Sequence, residues 1–138
     1  MRVRDAVEDD EEVLGDLADT PAEVMRNVIH DRTVRVAEAE SDDADDEDPD
    51  IVGFVGFDAD TESVLVTHLR GSADARNRLL EEPTRFARKE GMAVEVLVPE
   101  SEAETREVVE TAGFEDVGTG PRFENDQTVK YRLDPPRV

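Results

Sequence analysis

The chain has 138 residues, 37 of them acidic and 16 basic, with a formal charge of −21, two histidines and no cysteine. That charge argues against generic binding to nucleic-acid phosphates, and the lack of cysteine excludes disulfides and thiolate metal sites. Val, Leu, Ile and Phe still make up about a quarter of the residues, above the roughly 20% below which highly charged chains stay disordered, so a buried core and one domain over residues 1–138 are expected.

In chain order, Val3 alternates with Arg2 and Arg4 as in a short strand. Asp9 and Asp10 suit the first turn of a helix that carries Val13, Leu14 and Leu17. Thr20-Pro21-Ala22-Glu23 has the pattern of a capping box with proline in the first turn. The helix it opens carries Val24 with Val28 and Met25 with Ile29. Thr33 to Ala39 alternates as a strand, Glu40 to Asp50 forms an acidic hairpin loop, and Ile51 to Phe57 is a Val- and Phe-rich strand. Gly53 and Gly56 in that strand mark a bulge or a close backbone approach. After a turn at Asp58 to Thr61, Ser63 to Leu69 is again a strand.

Arg70 to Gly91 is helical in pattern but contains Pro83, which removes one backbone hydrogen bond, so a kink or a restart is expected there. Ala93 to Val98 is a strand with Val94, Val96 and Val98 on one face. Ser101 and Glu104 read as a second capping box, before a helix with Thr105, Val108, Val109 and Ala112 that Gly113 ends. Phe114 to Gly118 and Thr128 to Leu133 close the chain as strands. This order argues an α/β (α+β) domain with a mixed sheet of six or seven strands and about four helices.

The acids are spread over the chain, and only Lys89 and Lys130 are lysines. In dilute buffer such a surface repels itself. At 1 M salt the Debye length is roughly 3 Å and most of that repulsion is screened. The composition therefore reads as that of a salt-adapted, halophilic protein. The N-terminus lacks the apolar core of a signal peptide and no apolar run approaches roughly 20 residues, so a cytoplasmic location without a membrane span is expected.

From His68 to Lys89 six basic residues face three acids, a lone basic island that suggests an anionic ligand. Arg70-Gly71 stands between a strand and a helix, followed by the small residues Ser72, Ala73 and Ala75. Helix-start amides bind anions, and small residues let the backbone come close to a pyrophosphate.

The segment Val64-Leu65-Val66-Thr67-His68-Leu69-Arg70-Gly71-Ser72-Ala73-Asp74-Ala75-Arg76 resembles the acyl-CoA loop of the GNAT superfamily of N-acetyltransferases, [QR]-x-x-G-x-[GA], with Arg70 at the first position and Ala75 at the last. Val98 to Phe114, ending Ala112-Gly113-Phe114, resembles that family's late helix. The resemblance covers nearly the whole chain. It implies that Val64–Leu69 and Val94–Val98 are neighbouring parallel strands that splay at one end. It implies acetyl-CoA as co-substrate and a primary amine as acceptor, with a homodimer as an assembly it allows. Leu65, Val66 and Thr67 would hold the thioester arm, and Arg70, Gly71, Ser72, Ala73, Ala75 and Arg76 the phosphates.

The chain also departs from the family. Ala73 stands where the family has glycine, Asp74 puts an acid beside it, and Val109 occupies the position where many members carry an acid-donating tyrosine. A binding or regulatory domain without turnover is the alternative reading. His68 is the candidate base, while His30 and Glu62 carry little signal and no metal site is expected.

Overall fold

The computed structural model describes residues 1–39, 50–122 and 127–135. The acidic hairpin loop expected over Glu40 to Asp50 therefore lies, apart from Asp50, outside the described residues. The strands are β1 (Arg2–Asp5), β2 (Thr33–Glu38), β3 (Ile51–Ala59), β4 (Ser63–Gly71), β5 (Ala93–Pro99), β6 (Glu115–Thr119) and β7 (Thr128–Leu133). The helices are α1 (Glu11–Ala18), α2 (Ala22–Asp31), α3 (Ala73–Glu90) and α4 (Ala103–Thr111).

One seven-stranded sheet runs β1-β2-β3-β4-β5-β7-β6. Its neighbours are antiparallel except β4 and β5, which the α3 crossover makes parallel. The expected parallel pair is thus present: Ser63 to Val66 faces Ala93 to Val96. Pairing stops there, although β4 continues to Gly71 and β5 to Pro99.

Each face of the sheet carries its own core. On the α3/α4 face, Val55, Phe57, Val64, Val66, Leu69, Val94, Val96 and Val98 meet Leu79, Val108, Val109 and Phe114. On the α1/α2 face, Val34, Val36 and Phe54 meet Leu14, Ala18 and Met25. The period-two alternation of β2, β4 and β5 supplies both faces at once.

Helix α3 does not restart at Pro83: it is continuous from Ala73 to Glu90, with Pro83 buried on the sheet-facing row Ala75, Leu79, Pro83 and Ala87. Spacing of four puts these residues on one ridge, and burial of the pyrrolidine ring offsets the hydrogen bond that Pro83 cannot donate. Gly53 sets how close the ridge approaches: a Cβ there would lie 2.6 Å from the Arg70 carbonyl oxygen and 2.8 Å from Ala75 Cβ.

Neither α2 nor α4 begins where its expected capping box places it. Pro21, not Thr20, is the N-cap of α2, and the Thr20 hydroxyl donates to the Ala18 carbonyl at 3.1 Å. Helix α4 begins one residue later than the Ser101 pattern suggests, with Glu102 as N-cap. The Thr105 hydroxyl donates to Glu102 Oε1 at 3.1 Å.

Part of the basic island is internal. Glu82 is buried on α3, and Arg35 of β2 reaches it at 3.1 Å, with Arg78 at 3.5 Å and Arg85 at 3.6 Å. Three of the chain's arginines therefore neutralise one buried carboxylate, which would otherwise carry a desolvation cost of several kcal/mol.

Gly53→Ala is expected to lower stability by about 1–3 kcal/mol, because the added methyl meets backbone and a packed ridge. Gly56→Ala is expected to cost less, since its nearest new neighbour is the His68 side chain at 3.4 Å. Urea unfolding of both variants in one salt concentration checks the order.

Candidate active site

A one-residue slip in β4 builds the site. Gly56 pairs with His68 and Phe57 with Val66, so Thr67 is an extra residue, a β-bulge. Before the bulge Val64 and Val66 point into the α3 core; after it Leu69 does. His68 and Arg70 consequently share the opposite face with Phe54 and Gly56, their register partners on β3 being Gly56 and Phe54. At the same point β4 loses β5 as a neighbour. The β5-facing backbone groups from Thr67 onward lack a strand partner, and a bulge leaves its extra residue unpaired.

A cleft of about 450 Å³ opens there on the α1/α2 side. Its walls come from the end of α1 (Asp19), from α2 (Val24, Val28) and Arg32, from Thr67, His68 and Arg70 of β4, and from Leu97 and Glu102 beyond the divergence. Leu97 is shared with a second cavity of about 510 Å³, floored by Leu65 and bordered by Asp58, Asp60 and Glu95. Asp19 is the single non-glycine among the described residues with a left-handed backbone, φ 53°.

His68 is mostly buried. Its Nδ1 lies 2.9 Å from the Thr67 hydroxyl and its ring 6.0 Å from that of Phe54. Burial, then the charges of Arg70 and Arg32, push its pKa down from 6.5 to about 4. The imidazole is neutral at physiological pH, and with so low a pKa it is a weak proton acceptor. Both flanking arginines are paired: Arg32 Nη1 donates to Asp58 Oδ2 at 2.5 Å, and Arg70 forms an ion pair with Glu102 across the diverging strands.

On the rim, α3 begins at a tight junction. Gly71 has φ 124°, and a Cβ there would fall 2.2 Å from the Val52 carbonyl oxygen, so only glycine fits. Ser72 caps the helix by accepting from the Ala75 amide at 3.2 Å. The amides of Ala73 and Asp74 have no acceptor within the helix, as in any first turn, and Ser72, Ala73 and Asp74 are exposed.

The expected residues divide into groups. Thr67, His68 and Arg70 line the cleft; Gly71, Ser72 and Ala73 form the adjoining helix start. Leu65 belongs to the second cavity, while the side chains of Val66 and Ala75 lie in the core. Arg76 is nearly buried, with Nη1 3.3 Å from Glu104 Oε2 of α4 and with its Nε lacking a hydrogen-bond partner among the described residues. Val109 is fully buried in the core. Tyr131 is also buried; its hydroxyl accepts from Arg106 Nε at 3.1 Å and donates to Glu110 at 3.2 Å, fastening α4 to β7. His30 is exposed beside Glu8, and Glu62 is exposed in the β3–β4 turn.

Arg32, Glu102 and Asp19 are cleft residues that sequence reasoning did not single out. Nothing local marks them, because sheet order brings them together. The bulge did leave a trace, in apolar residues at 64, 66 and then 69 where strict alternation would give 68.

The histidine makes stability depend on pH. Its pKa is lower in the folded protein than in the unfolded chain, so the unfolded chain takes up the proton first as pH falls. The contribution is whole above about pH 6.5 and is lost between about 6.5 and 4. The stability of wild type relative to His68→Gln should therefore fall by up to about 3 kcal/mol from pH 7 to pH 4. A difference that stays constant over that range, in urea unfolding at fixed salt, contradicts this account of His68.

No protein-family model matches the sequence, and no curated protein matches it. Solved structures do match the fold. A ribosomal-protein-alanine N-acetyltransferase from Brucella melitensis is 16% identical with a TM-score of 0.71, covering 97% of this chain and 99% of its own. A protein from Desulfovibrio desulfuricans described as a GNAT-family acetyltransferase is 18% identical with a TM-score of 0.71, covering 96% and 98%. The protein yncA from Salmonella typhimurium, solved with its cofactor acetyl-CoA, is 13% identical with a TM-score of 0.71, covering 100% and 95%. No helix among the described residues is long and apolar enough to cross a membrane. The strand order, the parallel β4–β5 pair that diverges after Val66, and these matches together give the chain the fold of the GNAT acetyltransferases.

Proposed function

We propose that the chain transfers an acetyl group from acetyl-CoA to a primary amine. The observation that carries this reading is the coincidence of three features at one place: the end of β4–β5 pairing, the bulge at Thr67, and the start of an 18-residue helix three residues beyond Arg70. An open strand edge can take an extended amide-containing arm by backbone hydrogen bonds, and a helix start can take phosphate.

The residues fit such a molecule. The start of α3 is exposed at Ser72, Ala73 and Asp74, and Gly71, Ser72 and Ala73 are small enough to let phosphate oxygens reach the amides. Arg76 adds positive charge behind the turn, held between α3 and α4. Arg70 stands beside the opening, in the ion pair with Glu102. The backbone of Leu65, Val66 and Thr67 runs along the divergence, where free amides could orient a thioester carbonyl. Acetyl-CoA supplies the activated acetyl group.

The chain's contribution is then mostly placement. Positioning two reactants can supply several kcal/mol of a barrier by itself. His68 is neutral and turns Nδ1 toward Thr67, so Nε2 is the ring atom left to hydrogen bond with an incoming amine. Val109, packed in the core, offers no proton to the departing thiolate, so solvent protonates it.

Two outcomes test this reading. With an alkyl amine of pKa about 10, kcat/KM should rise about tenfold per pH unit up to that pKa, with no inflection near 6.5; a plateau starting at pH 7 would show a base of another kind. In calorimetry at molar KCl, Asp74→Asn should strengthen acetyl-CoA binding about 2- to 5-fold by removing a charge at the helix start, whereas Glu107→Gln on α4 should not. Absence of any binding at millimolar acetyl-CoA rejects the proposal.

A further inference from the structure

We propose that the acceptor is an amine that also bears a carboxylate, an amino acid with an apolar side chain rather than a simple amine, and that Arg32 holds its carboxylate. The proposal rests on the transferase reading and names the substrate class for the same cleft.

Helix α2 presents Val24 and Val28 to the cleft, four residues apart on one side of the helix, and Arg32, the extended residue that caps its C-terminus, lines the cleft just beyond them. Val24, 44% exposed, lines the cleft, and Leu97 and Pro99 supply apolar surface on the wall from β5. An apolar row ending in a guanidinium matches a molecule with a hydrocarbon side chain next to a carboxylate.

The charges of the cleft assign that role to Arg32 rather than Arg70. Charged groups lining it are Asp19, Arg32, Arg70 and Glu102, with His68 neutral. Arg70 is matched inside the cleft by Glu102. The partner of Arg32, Asp58, lines the neighbouring cavity and binds through Nη1 only. A guanidinium has five donors in a fork suited to carboxylate, so the rest of Arg32 remains for the cleft. In concentrated salt the chain's overall charge is screened within a few ångströms, and these nearest groups decide what enters. A simple alkylammonium brings only positive charge toward Arg32 and Arg70. An amino acid brings its carboxylate to Arg32 and its amine toward Thr67 and His68, with Asp19 and Glu102 as the acids nearest the ammonium form.

The test compares leucine, leucinamide and 3-methylbutylamine as acceptors with acetyl-CoA in molar KCl, at equal concentrations of unprotonated amine. Leucine is expected to exceed both others in kcat/KM at least tenfold. Arg32→Gln should cut that preference at least tenfold, mainly through KM, Arg32→Lys should restore part of it, and Arg85→Gln, on the exposed face of α3, should leave it in place. Equal use of the three amines, or an Arg32→Gln effect of the same size on all three, overturns the proposal. Calorimetric titration of the protein alone with leucine and with 3-methylbutylamine separates the two readings. Arg32-dependent leucine binding without turnover of any amine sustains the carboxylate site and rejects transfer; turnover without carboxylate preference does the reverse; neither binding nor turnover rejects both.

Discussion

A β-strand turns successive side chains to opposite faces, and β4 interrupts that alternation once, at Thr67. Most of the functional geometry depends on this slip. Without it, the strand that carries Val64 and Val66 into the core would carry His68 there too and turn Leu69 toward the cleft. With it, His68 and Arg70 face α2, Leu69 fills the core beneath α3, and backbone groups are released where β5 turns away. Gly53 and Gly71 then let α3 sit close to the sheet, so the helix start is held beside the opening.

Electrostatics follow the same layout. In a chain of net charge −21, the arginines are committed one by one. Arg35, Arg78 and Arg85 surround buried Glu82; Arg76 lies against Glu104; Arg4 is bound to Asp10 through both terminal nitrogens, at 2.9 and 3.1 Å. Within the basic island, Arg78 and Arg85 thus serve as counter-charge to a buried acid of α3, and Arg76 to an acid of α4. Arg70 stands at the divergence, and Arg32, outside the island altogether, lines the same cleft. Burial first, and then the charges of these two arginines, keep the His68 ring neutral.

The fate of the aromatic and acid–base groups is equally specific. Val109 is packed in the core, and the Tyr131 hydroxyl is engaged with Arg106 and Glu110. On the transferase reading proposed above, placement by backbone and helix is the chemistry that remains.

The order of elements is legible in the residues alone, because alternation in strands and three-to-four spacing in helices are local properties of the chain. The junction at Arg70 to Ala75 is legible too, where glycine and small residues follow one another, although β4 runs on through Gly71 and α3 begins at Ala73 rather than at Arg70. Caps were less legible: the Thr20 and Ser101 patterns satisfied the local rule, yet packing set α2 and α4 to begin at other residues. Pro83 likewise follows a local rule that burial on the α3 ridge overrode. The cleft itself was a tertiary decision. Arg32 and Glu102 are 70 residues apart in number and meet only because β3, β4 and β5 are laid side by side, with β4 and β5 parting after Val66. No periodicity encodes such a meeting, since it depends on which strands become neighbours and on where their hydrogen bonding stops.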